Sequence, residues 1–190
     1  MTPLETLAAW LAEAEAAHLP EPAAMALATV NAEGAPSVRF VLCRGIDARG
    51  VRFFTSYDSS KAHDLDTTGR AAVAFHWAGL GRQVRVEGRV VRATAEESDA
   101  YFQSRPRGHQ LSGAVSPQSH PIADLDELRT RYRDLETRLA GAPVPRPEWW
   151  GGYRLVADVV ELWRSGADRM HDRVRHRRDG TTWTGTRLAP

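Results

Sequence analysis

Residues 82–94, RQVRVEGRVVRAT, constrain the fold more than any other stretch, because apolar and polar side chains alternate along them at a period of two. Val84, Val86 and Val90 fall on one side, and Gln83, Arg85, Glu87 and Arg89 on the other. That is a strand with one face in a core and one toward water. Gly88 stands in the apolar row without a side chain, which predicts a bulge or the close approach of another backbone. AMALATV and PSVRFVLCR, separated by the turn residues Asn31 to Gly34, read as a hairpin, and a second turn at Asp47 to Gly50 leads into VRFFTSY. AAVAFHW, YRLVADVVELWRS, the arginine-rich stretch 169–178 and TTWTGTRLAP bring the tally to at least eight strands. Connections this short favour antiparallel pairing over a βαβ crossover. The predicted class is mainly β, a β-barrel with peripheral helices.

Helix signals punctuate the strands. Thr2, Pro3 and Glu5 form a capping-box start, and Leu4, Leu7 and Leu11 give an apolar stripe over a helix ending near His18. Asp58, Ser59 and Ser60 offer N-cap side chains to a short helix closed by Gly69. Thr94 and Glu97 open a third, which places Tyr101 and Arg105 on one face before Pro106 stops it. Arg107 to Pro121 has few large apolar groups and is expected to be an ordered loop. Asp124 caps a further helix whose Leu125, Leu128, Tyr132, Leu135 and Leu139 form a stripe facing the core or a partner, the core being the expectation.

At 190 residues the chain is sized for one domain. Its 25 basic residues nearly balance 24 acidic ones, so a general coat for nucleic acid is not expected. The single cysteine, Cys43, allows no intrachain disulfide and suits a reducing, cytoplasmic compartment. The start lacks the basic, apolar organisation of a signal peptide, and no stretch approaches a membrane span. None of the seven histidines lies in an HExxH pair, so a metal site is not expected, and no serine lies in a GxSxG elbow.

What the composition does show is locally dense positive charge. If RMHDRVRHRR runs extended, Arg169, His171, Arg173, Arg175 and Arg177 share one face. Such a row repels itself unless water or an anionic ligand faces it, and either satisfies that requirement. The start of the short helix, with Ser59, Ser60 and Lys61, reads either as a plain cap or as a phosphate cradle. Arg39, Arg44, Lys61, Arg82, Gln83 and Arg105 are dispersed positions that a small phosphorylated ligand could draw together.

Taken in order, RFVLCR, FFTSYDSSKAHDL, GRQVRVEGRV, YFQSRPRGHQ, SPQS, WWGGYRL, VVELWRSGADRMHDR and the closing RLAP resemble the pyridoxine/pyridoxamine 5'-phosphate oxidase family over nearly the whole chain. The resemblance implies a single FMN-binding split-barrel domain over 1–190, with an N-terminal helix in 1–22 and the barrel with inserted helices in 23–190. It also implies a homodimer, hydride transfer from substrate to FMN, reoxidation by dioxygen, and a role in making pyridoxal 5'-phosphate. The positions that the resemblance places at the FMN are Arg39, Phe40, Val41, Leu42, Phe54, Thr55, Ser60, Lys61, Gln83, Gln118, Ser119, Trp163 and Arg173. Those it places at the substrate are Arg44, Tyr101, Arg105, His109, Arg169 and His171, with Arg169 and His171 as the catalytic pair.

Four positions depart from the family pattern. Arg44 stands for lysine, His109 for serine, Ser60 for arginine and Ala114 for tryptophan. The chain also begins close to its first helix, so a lid from a longer N-terminal arm is not expected. The loss of bulk at Ala114 leaves a second implied activity open, the oxidation of a larger aromatic precursor of the dihydrophenazine-carboxylate type. A non-catalytic flavin-binding protein is a third reading, and the presence of both Arg169 and His171 argues against it.

Overall fold

The computed structural model describes residues 1–190, with five α-helices and nine strands. In chain order these are α1 (Pro3–Ala16), β1 (Ala24–Val30), β2 (Pro36–Leu42), β3 (Ile46–Asp47), β4 (Gly50–Ser56), α2 (Ser60–Thr68), β5 (Arg70–Trp77), β6 (Arg82–Arg92), α3 (Ala95–Ser104), α4 (Arg107–Val115), α5 (Leu125–Leu139), β7 (Trp150–Arg164), β8 (Asp172–Asp179) and β9 (Thr182–Leu188). The sheet runs in the order β2-β1-β5-β6-β7-β4-β3, and β8 pairs with both β7 and β9. The chain divides into two compact units, one of Met1–Phe53, Asp64–Val91 and Arg154–Pro190, the other of Phe54–His63 and Arg92–Tyr153.

In the first unit the expected capping box closes α1. The Thr2 hydroxyl accepts from the Glu5 N–H at 3.2 Å while the Glu5 carboxylate accepts from the Thr2 N–H at 2.7 Å. Leu4, Leu7, Trp10 and Ala14 on its inner face are buried. β1 and β2 form the predicted hairpin, in register from Ala24↔Leu42 to Val30↔Pro36. Its turn is held by the Asn31 side-chain oxygen, which accepts from the Glu33 and Ala35 N–H groups, with Gly34 at φ +84° supplying the left-handed step. The run VRFFTSY does not continue this meander, because β4 lies between β7 and β3.

β6 confirms its alternation, with Val84 and Val86 fully buried. Gly88 is a close-approach position: a Cβ there would lie 2.0 Å from the Val156 carbonyl oxygen of β7. No rotamer change relieves such an overlap, because the obstacle is backbone.

The second unit is mainly helical. Thr94 and Glu97 cap α3 as expected. Residues 107–115, expected as loop, are helix α4 instead. The Pro106 carbonyl accepts from the His109 and Gln110 N–H groups, and the buried Gln110 amide donates to the Phe102, Gln103 and Arg105 carbonyls at 3.1 Å each. The two N–H groups of one side-chain amide are thus shared among three carbonyls at the C-terminal end of α3 and tie α4 to them, a tertiary stabilisation that local propensity does not register. The stripe on α5 is core-facing only in part. Tyr132, Leu135 and Leu139 pack against Phe102, Leu111, Val144 and Trp150, whereas Leu125 is exposed.

Gly88→Ala is expected to destabilise the protein by about 1–3 kcal/mol through forced separation of β6 from β7. Denaturant unfolding of the purified variant checks this, and an unchanged midpoint would show that the two backbones do not meet there.

Candidate active site

In the second unit the donors gather around Lys61, the single lysine in the chain. α2 begins at Ser60, so Lys61 leaves its first turn, and its side chain is almost wholly buried. The ammonium donates to the Thr55 hydroxyl at 3.2 Å and to the Gln118 carbonyl oxygen at 3.0 Å. The same Gln118 oxygen accepts from the Thr55 hydroxyl at 2.6 Å and the Ser56 N–H at 3.3 Å. Three donors thus fix the Gln118 carboxamide by its oxygen, leaving its NH2 group for an acceptor outside the protein. Ser59 does not cap the helix through its side chain but donates to the Ser56 carbonyl at 2.7 Å. Ser60 and Ser119 are exposed, Ser119 in left-handed backbone at φ +71°.

The remaining polar groups of this unit stand on an aromatic stack. Phe54 and Tyr101 lie face to face with centroids 4.0 Å apart, and Trp150 stacks on Phe54 at 5.6 Å. Arg105 lies over the Trp150 ring at 4.8 Å. A Cβ on Gly113 would fall 2.9 Å from the Arg105 guanidinium, so the bare backbone of α4 gives that group its place. Arg105 is the C-cap of α3 in extended backbone, so it leaves the helix instead of continuing the face of Tyr101, and both side chains lie against aromatic rings. His109, on the first turn of α4, is exposed.

In the first unit Arg39 is tied to its own sheet. Its guanidinium donates to the Thr29 hydroxyl at 2.6 Å and the Ser37 hydroxyl at 2.9 Å, and lies 3.7 Å from Asp64. Phe40 on the same strand is 78% exposed, Val38 is 68% exposed, and Leu42 is also exposed, while Val41 is half-buried. Gln83 is half-buried on β6, opposite His76, and Arg44 is exposed just beyond β2. Arg82 is accounted for without a ligand: it pairs with Glu13 at 2.5 Å and covers Trp10 at 4.8 Å.

The arginine-rich stretch departs from its expected geometry. β8 starts at Asp172, so Arg169 and His171 are not on the strand face with Arg173, Arg175 and Arg177. They belong instead to a tight loop in which Asp168 and Arg169 both have positive φ, +51° and +62°. Two successive left-handed residues without glycine cost of order 1–3 kcal/mol each, and surrounding structure holds them there. The His171 Nδ1 accepts from the Gly166 N–H at 3.2 Å, which sets the neutral ring's proton on Nε2, and the imidazole lies 4.6 Å from Trp163.

Nor is the strand's positive charge answered by water or ligand alone. Glu161 on β7, 3% exposed, faces Arg175 directly across the ladder and accepts from Arg173 Nε and Nη2 at 3.1 and 2.8 Å. Burial by itself would raise the Glu161 carboxyl, but the Arg173 hydrogen bonds and the Arg85 and Arg173 charges outweigh it and hold the group below its ordinary value. Sequence reasoning did not single out Glu161; an acid inside the apolar run VADVVELW, opposite an arginine-dense strand, was the available signal.

No grouping of three or more His, Cys, Asp or Glu side chains is placed to hold a metal ion, and no helix is long and apolar enough to cross a membrane. The donor set in each unit is instead cationic, hydroxyl and carboxamide. Taken separately, the Gln118 NH2 in the second unit and an Arg175 Nε that is buried without an acceptor in the first each suit an anionic cofactor rich in hydrogen-bonding atoms.

Comparison with known proteins agrees. Residues 11–138 match the pyridoxamine 5'-phosphate oxidase family model and residues 150–190 that of the pyridoxine 5'-phosphate oxidase C-terminal dimerisation region. A pyridoxine/pyridoxamine 5'-phosphate oxidase from Bordetella avium is 50% identical over the full chain and 90% of its own length. One from Rubrobacter xylanophilus is 46% identical, covering 99% of this chain and 87% of its own. Among solved structures, PhzG from Burkholderia lata 383 in complex with tetrahydrophenazine-1-carboxylic acid superposes with a TM-score of 0.94 at 36% identity, over 99% of this chain and 92% of that one. A pyridoxamine 5'-phosphate oxidase-related, FMN-binding protein from Nostoc punctiforme superposes at 0.82 over all of this chain and 99% of that one, and at 16% identity shows the fold, a split β-barrel with peripheral helices. With both regions matched in order over most of its length, the chain belongs to the pyridoxamine 5'-phosphate oxidase family of flavin-dependent oxidases.

Proposed function

We propose that this protein, acting as one FMN-binding domain over its whole length and as a homodimer in the cytoplasm, oxidises pyridoxamine or pyridoxine 5'-phosphate to pyridoxal 5'-phosphate. The observation that carries this reading is the loop from Gly166 to His171, where left-handed backbone holds Arg169 and a hydrogen bond selects one tautomer of His171. Such strain and orientation suit groups that must meet a substrate in one pose. FMN, when bound, supplies the hydride acceptor and passes the electrons on to dioxygen.

The chain's own groups divide the remaining work. Lys61, Ser60 and Arg39 suit the cofactor phosphate; Gln83, Gln118, Ser119 and Thr55 suit polar atoms of the ring system; and the β2 segment Phe40 to Leu42, Phe54 and Trp163 offer apolar surface. Arg173 adds a charge-assisted donor. Tyr101 and Arg105, with Arg44 and His109, bind the substrate phosphate, while Arg169 orients the pyridine ring. His171, with its Nδ1 occupied, exchanges a proton with the substrate through Nε2. Support for the homodimer comes from the match to the C-terminal dimerisation region and from β2, an edge strand with Val38 and Phe40 uncovered. The cytoplasmic setting is supported by the single, buried cysteine, which leaves no intrachain disulfide to form.

A second reading has its own observation. The second unit contains a cavity of about 820 Å³ lined by Ala114, Leu135, Arg138 and Trp149 among others. Asp58, Glu127 and Asp134 also line it, but Trp149 with Arg131 and Arg138, beside a wall opened where the family pattern has tryptophan, offers a planar carboxylate larger than a pyridine a ring and two cations. PhzG, with its tetrahydrophenazine-1-carboxylic acid, is the relative that points the same way.

Purified protein is expected to be yellow with an oxidised-flavin absorption band, and a colourless preparation that takes up no added FMN would refute the cofactor assignment. Without oxygen, pyridoxamine or pyridoxine 5'-phosphate should bleach that band. Bleaching by a dihydrophenazine carboxylate alone selects the second reading. Arg169→Ala is expected to slow flavin reduction by roughly 10²- to 10⁴-fold with FMN content nearly unchanged; parallel loss of both would make Arg169 a structural residue.

A further inference from the structure

Glu161 sits beneath three guanidinium groups. One carboxylate oxygen accepts both Nε and Nη2 of Arg173, and the other lies 3.4 Å from Arg175 Nη2 and 3.5 Å from Arg85 Nη2. Arg85 is shared with Glu87 at 2.8 Å. Three positive charges against two negative leave this cluster one positive charge in excess. Of the five N–H donors a guanidinium carries, Arg173 spends two on Glu161 and one on the Ala189 carbonyl at 3.0 Å. The other two remain for a ligand, and their direction is set by the face-on grip of the carboxylate.

We propose that Glu161 is a positioning residue for the flavin cofactor, acting through Arg173. This rests on the FMN reading above and adds to it a residue that touches no ligand. Two opposite effects of Glu161 can be weighed. As a charge, it lowers the local positive potential and so opposes the binding of an anion. As a clamp, it stops Arg173 and Arg175 from swinging apart under mutual repulsion and points the two remaining Arg173 donors one way. The clamp dominates, because the carboxylate is buried and one of its oxygens accepts two charge-assisted N–H groups of Arg173 while the other faces Arg175, whereas a hydrogen-bonding ligand gains from Arg173 only when its donors are aimed. The consequence is that removing the negative charge loosens the cofactor instead of tightening it.

The experiment titrates FMN into flavin-stripped protein, following fluorescence quenching, for wild type, Glu161→Gln, Glu161→Asp, Arg173→Ala and the double variant Glu161→Gln/Arg173→Ala. Expected is a 10- to 100-fold weaker affinity for Glu161→Gln, an intermediate loss for Glu161→Asp, and less than a twofold further loss when Glu161→Gln is added to Arg173→Ala. Glu161→Asp keeps the charge and serves as the test if the glutamine variant does not fold. Four results would overturn the proposal: FMN affinity in Glu161→Gln within twofold of wild type, tighter binding in that variant, wild-type affinity in Glu161→Asp, or full additivity with Arg173→Ala. Wild-type protein that takes up no FMN overturns the cofactor reading and this inference with it, whereas normal wild-type uptake beside any of those four overturns this inference alone.

Discussion

A buried carboxylate facing arginines is expensive to assemble, since each ion loses several kcal/mol of hydration, and it persists only where several good hydrogen bonds return that loss. The ladder between β7 and β8 meets this condition by placing Glu161 directly opposite Arg175 with Arg173 on the diagonal. Much else in the first unit follows from that pairing. Once Glu161 is in register, Trp163 must stand opposite Arg173, and the chain leaves β7 two residues later into the loop that carries Arg169 and His171. A slip of one residue would turn Glu161 to the other face and strand three guanidiniums together. Charge and register are thus one constraint here.

The second unit solves the same problem of holding polar groups still by different means. Arg105 lies over the Trp150 ring, and Tyr101 stacks on Phe54. Bare backbone makes the space: a Cβ on Gly152 would fall 2.7 Å from the Phe54 ring, and one on Gly151 2.1 Å from the Tyr57 hydroxyl. Lys61 completes the picture: its nearly buried ammonium donates to the neutral oxygens of Thr55 and Gln118, and out of bulk water a hydrogen bond from a cation is stronger.

Strands and caps were legible in the sequence wherever a local rule decides them. The alternation in 82–92, the 31–34 turn and the boxes at Thr2 and Thr94 each rest on neighbours within a few residues, and each is found. Helix α4 was not legible, because what makes it helical is Gln110 reaching the carbonyls of a preceding helix. The placement of Arg169 and His171 on the strand face failed for a related reason: period-two counting cannot see a left-handed break at Asp168. The dispersed cations could be named from the sequence, yet their partners could not. Arg82 turned out to serve Trp10 and Glu13, and the acid that organises Arg173 and Arg175 lies in an apolar run where periodicity drew the eye to its neighbours.

The pair Asp168 and Arg169 carries one more implication. A glycine at 168 would relieve the backbone at that point and would be the usual remedy for instability in a turn. It would also multiply the shapes open to the segment when nothing is bound, so that, on the role proposed for Arg169, each arriving molecule would have to collect it from an ensemble. On that proposal, tolerating a stiff, uncomfortable corner keeps the backbone that carries the side chain in a single shape, and the cost of order falls on folding, once, instead of on every turnover.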